Sequence, residues 1–99
     1  MRVVWSAEAS RSLRQIVAYI AQDSPMAARK VAARLLLRSR QLGEPPLLGR
    51  RLPEYPDEDR RELLERPWRL IYRITPTAIE IVTVRHYRQL LPDSPEQLG

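Results

Sequence analysis

The hydrophobic residues in the first half of the chain repeat with the period of an α-helix. A short apolar run, Val3–Trp5, comes first. It is followed by apolar residues at positions i, i+4, i+7, i+8 and i+11, namely Ala9, Leu13, Ile16, Val17 and Ile20. This spacing predicts an amphipathic helix that begins after Ser6, a favourable N-cap residue, and continues to about Gln22.

A second amphipathic helix is predicted from Pro25 to about Leu42. Ser24 is suited to cap it, and Pro25 fits the first helical position because no N–H is needed there. The apolar stripe of this helix consists of Ala28, Val31, Ala32, Leu35 and Leu42, with Leu36 at its edge. Because the joint around Asp23 is short, the two helices are predicted to form an antiparallel αα-hairpin.

The second half of the chain changes to the alternating pattern of β-strands. Glycine and proline residues predict a loop over Leu47–Asp59. The pair Leu63–Leu64 indicates a short strand, residues 68–74 alternate as a second strand, and residues 79–84 alternate again after a turn at 75–78. These three strands predict an antiparallel meander.

Together the elements predict an α+β fold. An N-terminal strand is followed by the antiparallel αα-hairpin and then by the three-stranded antiparallel meander, so that the hairpin packs on a small twisted sheet. The pattern leaves open whether the N-terminal strand joins the sheet at an edge or in the middle. We expect residues 1–91 to form a single domain and residues 92–99 to form a flexible tail.

The composition of the 99-residue chain limits the chemistry that a site could use. A single histidine, the absence of cysteine and only three scattered glycines argue against a zinc site and a phosphate-binding loop, so we expect no metal and no cofactor. No apolar run is long enough to span a membrane, and the N-terminus lacks the apolar stretch of a signal peptide. We therefore expect a cytoplasmic protein without a membrane partner.

The positive charge of the chain is concentrated in its helical half. Sixteen arginines and one lysine against twelve acidic residues give a net charge of +5. One face of the second helix carries three basic residues spaced by four, Lys30, Arg34 and Arg38. This face is either an ordinary solvated surface or a docking surface for an acidic protein segment or a phosphate backbone. The acidic residues that follow are interpreted as a solvated loop: Asp57, Glu58, Asp59, Glu62 and Glu65.

A second group of polar residues is expected near one end of the sheet. It consists of Arg69, Arg73, Arg85, His86, Tyr87 and Arg88, with Glu54 if its loop folds nearby. Acid–base cleavage of RNA needs such a set, because a carboxylate or imidazole takes the 2′-hydroxyl proton and arginines stabilise the charged transition state. The alternative is that the arginines pair with neighbouring carboxylates and cross-strand partners.

A series of short motifs follows one another over about residues 3 to 90. They are Val4-Trp5-Ser6, Ile16-x-x-Tyr19-Ile20, Ser24-Pro25-x-Ala27-Ala28, Pro46-x-x-Gly49-Arg50-Arg51-x-Pro53-Glu54, Arg61-Glu62-Leu63, Trp68-Arg69-Leu70-Ile71-Tyr72-Arg73-Ile74, Ile79-x-Ile81-x-x-Val84 and His86-x-Arg88. In their order and spacing, these motifs resemble the RelE/ParE superfamily of bacterial toxins. The resemblance implies the α+β fold and a type II toxin–antitoxin system.

The loop at residues 49–54 and the His86-x-Arg88 ending are most similar to ParE-like members. This resemblance implies a toxin that inhibits bacterial growth by targeting DNA gyrase without catalytic residues. It also implies a cognate antitoxin whose C-terminal segment wraps the toxin, which we expect to be buried against the helical hairpin or a sheet edge. The residues expected to contact the target or the antitoxin are Lys30, Arg34, Arg38, Arg50, Arg51, Arg73, Arg85 and Arg88.

Two alternatives remain open from the sequence. Glu54, Arg69, His86 and Tyr87 lie where YoeB-like toxins carry a glutamate, an arginine, a histidine and a terminal tyrosine, which implies ribosome-dependent mRNA cleavage by these residues. The chain departs from that pattern because it continues for twelve residues past Tyr87, and it lacks the lysines of RelE. The second alternative is a basic adaptor that binds nucleic acid through phosphates alone, with a steep dependence on salt.

Overall fold

A computed structural model describes residues 1–45 and 48–99 and arranges them as two helices against a five-stranded sheet. The elements are β1 (Arg2–Trp5), α1 (Ala7–Ala21), α2 (Pro25–Gln41), β2 (Arg50–Arg51), β3 (Arg60–Glu65), β4 (Trp68–Ile74), β5 (Ala78–His86) and a 3-10 helix (Pro95–Leu98). The predicted α+β class is confirmed. Pro46, which belongs to one of the motifs, and Leu47, which begins the predicted loop, lie outside the described residues.

The αα-hairpin forms as its capping residues predict. The Ser6 hydroxyl oxygen accepts a hydrogen bond from the Ala9 backbone N–H at 3.0 Å, and the Ser24 hydroxyl oxygen accepts one from Ala27 at 3.1 Å. Each bond satisfies an N–H that has no partner within the first helical turn. In the described part of the chain, neither helix has the length and apolar character needed to cross a bilayer.

The strands lie in the order β1-β5-β4-β3-β2. The antiparallel meander of β3, β4 and β5 is confirmed, and β1 occupies one edge of the sheet, parallel to β5. The loop predicted over Leu47–Asp59 contains a strand that the pattern did not indicate. Residues Arg50 and Arg51 of β2 pair antiparallel with β3, and two residues are too few to produce a recognisable alternation.

The alternation predicted for the last strand is interrupted by a β-bulge. Ile71 on β4 lies opposite Thr83, whereas the next residue, Tyr72, lies opposite Ile81, so that β5 contains one extra residue. A bulge shifts the following side chains to the other face of the sheet. As a result, Val84 rather than Thr83 joins the apolar cluster beneath the helices.

Apolar side chains form a separate cluster on each face of the sheet. The cluster beneath the helices contains Ala9, Leu35, Leu42, Leu63, Leu70, Tyr72, Ile79, Ile81 and Val84. The cluster on the opposite face, called here the second cluster, contains Leu52, Tyr55, Ile71, Val82 and Leu98. Leu98 is 1% exposed. The end of the tail therefore packs against the sheet, whereas the sequence predicts that residues 92–99 form a flexible segment.

Candidate functional site

A cavity of about 640 Å³ opens on the face of the sheet that the helices leave uncovered. Leu63 and Leu70 point towards the helices, so their neighbours on β3 and β4 point into this cavity. Its polar lining consists of Arg50, Glu54, Glu62, Arg66, Arg69 and Tyr87. Its apolar lining consists of Pro53, Leu64, Pro67 and Trp68. We refer to it as the sheet cavity.

Arg69 lies at the centre of the charge network in the sheet cavity. Its Nε donates to Oε1 of Glu62 at 2.5 Å, and its two Nη atoms donate to the two carboxylate oxygens of Glu54 at 2.8 Å each. The other oxygen of Glu62 accepts from Nε of Arg50 at 2.7 Å. The Arg69 side chain is 7% exposed and that of Glu62 is 0% exposed. Two carboxylates therefore hold the guanidinium group in one orientation.

The contact with Arg69 stabilises the ionised form of Glu54. Hydrogen bonds from Arg69 hold the pKa of the Glu54 carboxyl below its usual value of 4.5, although partial burial acts in the opposite direction. The same hydrogen bonds raise the pKa of the Arg69 guanidinium. A carboxylate with a lowered pKa is a weaker base, and both of its oxygens are already occupied. In this arrangement, Glu54 is poorly placed to take a proton from a substrate.

The lowered pKa of Glu54 predicts an acid-sensitive contribution to stability. Glu54 binds a proton less tightly in the folded state than in the unfolded state. Its contribution to the free energy of unfolding is therefore complete above about pH 4.5 and is lost as pH falls through the lower pKa of the folded state. We expect the free energy of unfolding of a Glu54→Gln variant to fall less steeply in this window than that of the wild type. Urea unfolding at a series of acidic pH values measures the difference, and parallel curves would contradict the prediction.

His86 lines a different cavity, of about 490 Å³, between α1 and the end of β5. Its ring stacks on Tyr87, with centroids 4.9 Å apart, and meets the edge of Trp68 at 5.4 Å. The Nδ1 atom of His86 accepts a hydrogen bond from the Arg88 backbone N–H at 3.1 Å. Trp68 lines both cavities. The rings at the end of the sheet therefore lie between the two cavities.

The structure brings together three of the four residues predicted for catalysis. Glu54, Arg69 and Tyr87 line the sheet cavity, whereas His86 lines the cavity beside α1. Tyr87 is half exposed, and its hydroxyl accepts from Nε of Arg88 at 3.2 Å. The arrangement places a carboxylate, a guanidinium and a phenol in one cavity. The imidazole of His86 stacks on the phenol ring of Tyr87.

Several of the arginines predicted to bind a partner are engaged in ion pairs within the chain. Arg34 and Arg38 approach Glu65 at 3.9 and 3.3 Å, and Arg73 pairs with its cross-strand neighbour Glu80 at 2.7 Å. The other pairs are Arg50 with Glu62 and Arg51 with Asp59. Over residues 1–45 and 48–99, Lys30 and Arg85 form no ion pair, and Arg88 lies over the Tyr87 ring at 5.5 Å.

Glu62 is the site residue that sequence analysis missed. The interpretation of Glu62 and Glu65 as part of a solvated loop is wrong, because both lie on β3 and form ion pairs. The available signal was alternation, since Glu62 and Leu64 share a strand face and Glu62 can reach Arg69 on the next strand. Among the described residues, no three carboxylate or imidazole side chains come together as ligands for a metal ion.

Comparisons with known proteins agree on one family. Residues 3–91 match the family model described as "ParE toxin of type II toxin-antitoxin system, parDE". The chain is 38% identical over 92 residues to "Putative toxin Y4kP" of Sinorhizobium fredii (strain NBRC 101917 / NGR234), covering 92% of this chain and 93% of that protein.

Two solved structures have a similar fold. One belongs to the chromosomal ParDE system of P. aeruginosa, with a TM-score of 0.71, 24% identity, and coverage of 87% of this chain and 95% of that chain. The other belongs to the RelBE2 toxin–antitoxin complex of Mycobacterium tuberculosis, with a TM-score of 0.63, 22% identity, and coverage of 86% and 88%. On the strength of the family match and its relative, the chain belongs to the ParE toxin family of type II toxin–antitoxin systems.

Proposed function

We propose that this toxin inhibits DNA gyrase through protein contacts, not by cleaving mRNA. The observation that favours protein contacts over mRNA cleavage is the bidentate ion pair between Glu54 and Arg69 in the free chain. This pair occupies the two groups that RNA cleavage would need as a base and as a stabiliser of the transition state. Membership of the ParE family supports the same target. A toxin with this target would act in the cytoplasm.

Ribosome-dependent mRNA cleavage is the second candidate function. It is favoured by the position of Glu54, Arg69 and Tyr87 on the walls of one cavity. For this activity, Glu54 would have to leave Arg69 when the mRNA binds, so that its carboxylate could accept the 2′-hydroxyl proton. Arg69 would then be free to stabilise the charge that develops on the phosphate.

An assay with purified gyrase distinguishes the two candidates. We expect an excess of the toxin to lower the rate of DNA supercoiling or to increase the amount of cleaved DNA. We also expect primer extension on translated mRNA to show no toxin-dependent ends. Unaffected gyrase at toxin excess would refute the proposal. If primer extension instead shows mRNA ends that disappear when Glu54 and His86 are both replaced by alanine, the nuclease function takes its place.

We also propose a cognate antitoxin that covers part of this toxin with an amphipathic segment. Two of the solved relatives come from toxin–antitoxin systems. Lys30 and the partly neutralised pair Arg34 and Arg38 provide a basic border along α2, close to the exposed apolar side chain of Leu37. Such a surface fits a segment with apolar residues flanked by acidic ones. Expression of the chain alone should arrest growth, and co-expression of the adjacent gene should restore it.

A further inference from the structure

The guanidinium group of Arg69 is held in place by contacts of two different kinds. On one edge, Nε donates to Glu62, which is buried on β3 and braced from its other side by Arg50. On the other edge, both Nη atoms donate to Glu54, which lies on the loop between β2 and β3 and is 40% exposed at its side chain. The first contact is built into the sheet, whereas the second comes from a residue that solvent reaches.

This difference means that Glu54 can leave without changing the orientation of Arg69. Glu62 and the strand hold the guanidinium group through Nε, so the two Nη donors would continue to point into the sheet cavity. A planar pair of parallel N–H donors matches a carboxylate in a bidentate arrangement. When Glu54 is displaced, the cavity therefore presents a preformed receptor for one carboxylate group.

The rest of the cavity provides a site for an apolar side chain next to that carboxylate. Leu64, Pro67 and Trp68 form an apolar wall, and Leu64 is one of the exposed large hydrophobic residues of the chain. The cavity volume of about 640 Å³ accommodates more than one side chain. Burial of an apolar group against this wall would supply free energy that an isolated carboxylate lacks when it competes with Glu54.

We propose that the sheet cavity is a docking site for a partner protein segment in which an acidic residue stands beside an apolar one. The acidic side chain replaces Glu54 on Arg69, and the apolar side chain packs against Leu64, Pro67 and Trp68. Glu54 moves into solvent, to which it is already partly exposed. The inference goes beyond the proposed function, since it holds whether or not gyrase is the target.

The structure favours a carboxylate over a phosphate as the occupant. Glu54 already shows that a carboxylate fits the two parallel Nη donors of Arg69, called here the fork of Arg69, with both donor–acceptor distances at 2.8 Å. An acidic side chain replaces the charge of Glu54 one for one. A phosphate group also matches these donors, but it carries about 1.5–2 negative charges at pH 7. The additional charge would stand near the buried carboxylate of Glu62, which remains in place. An acidic protein segment is therefore the matching ligand.

The proposal can be tested on the purified full chain with small probes. The probes are N-acetyl-aspartyl-leucine amide, its asparaginyl analogue and inorganic phosphate, and binding is followed through the NMR signal of the Arg69 Nε–H group. We expect a Glu54→Gln variant to bind the aspartyl probe about tenfold more tightly than the wild type, because Glu54 no longer competes for Arg69. The asparaginyl probe, which lacks the charge, should bind either protein more weakly than the aspartyl probe.

Glu58→Gln provides the matched control. Glu58 lies on the same loop, is 45% exposed at its side chain and pairs with Arg60 outside the sheet cavity. The Glu58→Gln substitution removes the same charge as Glu54→Gln but leaves Glu54 bound to Arg69. The affinity of this variant for the aspartyl probe should therefore equal that of the wild type. Equal affinities in the wild type and Glu54→Gln, an equal gain in Glu58→Gln, or equal binding of the two dipeptides would overturn the proposal. Tighter binding of phosphate than of the aspartyl probe would overturn it in favour of a nucleic-acid ligand.

Discussion

Replacing Arg69 by methionine will lower the free energy of unfolding by about 3–5 kcal/mol, as expected when one partner of a buried ion pair is removed. Glu62 is 0% exposed at its side chain and would keep only Arg50, which is 64% exposed. Most of the cost is the desolvated charge of Glu62, because its strongest partner has gone while its burial has not changed. Urea unfolding at neutral pH measures the loss.

A matched variant on the same strand separates burial from charge. Arg73→Met removes an arginine of β4 whose ion pair with Glu80 is exposed, at 48% and 32% of the two side chains. Solvent screening limits such a pair to about 0–1 kcal/mol. The double variant Glu62→Met with Arg69→Met should recover much of the loss, since no buried charge remains. If Arg69→Met and Arg73→Met lower the free energy of unfolding equally, burial does not determine how much the Arg69 network contributes to stability.

Most of the elements predicted from the sequence have patterns that extend over several turns or several alternations. The helices that follow Ser6 and Ser24 combine a capping residue with an apolar stripe, and both signals are local. The meander was predictable because residues 68–74 and 79–84 alternate in the sequence and the pair Leu63–Leu64 indicates the strand that precedes them. By contrast, β2 has two residues, and its formation depends on pairing with β3, which only the folded chain provides.

The bulge in β5 shows the limit of alternation as a guide to side-chain direction. An extra residue near Val82 reverses the face of every later position, so Val84 is buried beneath the helices. Nothing in the residue types around Val82 distinguishes a bulged strand from a regular one. The prediction of a strand was therefore sound, whereas a regular alternation could not be assumed for its last residues.

The candidate site was predictable in its residue types but not in its connections. Glu54, Arg69 and Tyr87 were selected for the chemistry that their side chains permit, and they line one cavity. Glu62 escaped selection because an acidic residue after an acidic loop is ordinarily solvated. Its burial depends on two arginines that approach from different strands, and that convergence exists only once the sheet has formed.

Several of the positive charges of the chain are paired with carboxylates within the structure. Arg50, Arg69 and Arg73 are neutralised by carboxylates on β3, β5 or the adjoining loop. Much of the basic character therefore stabilises the fold and does not form a uniform field for an anionic partner. We therefore expect partner recognition by this toxin to depend on the geometry of particular sites, such as the paired N–H donors of Arg69, more than on net charge.

The tail that follows the last strand is expected to stabilise the sheet. Leu98 is 1% exposed and packs in the second cluster, and the Tyr55 hydroxyl donates a hydrogen bond to the Pro92 carbonyl oxygen. Tyr55 is adjacent to Glu54, so we expect the tail also to restrain the loop that carries this carboxylate. We expect Leu98→Ala to lower the free energy of unfolding by about 2 kcal/mol, the lower end of the range for a buried leucine. A terminal segment can detach locally, which limits the loss.

Leu90→Ala is the control for this prediction, because Leu90 is 94% exposed and its truncation should change stability by less than about 0.5 kcal/mol. Amide hydrogen exchange distinguishes a docked tail from a loosely attached one. The Leu52 N–H donates to the Arg60 carbonyl oxygen at 3.3 Å, and the Tyr55 N–H donates to the Leu52 carbonyl oxygen at 3.1 Å. In Leu98→Ala, both amides should exchange faster than in the wild type, since the loop has lost its cover. Unchanged exchange together with unchanged stability would mean that the tail does not hold the Glu54 loop.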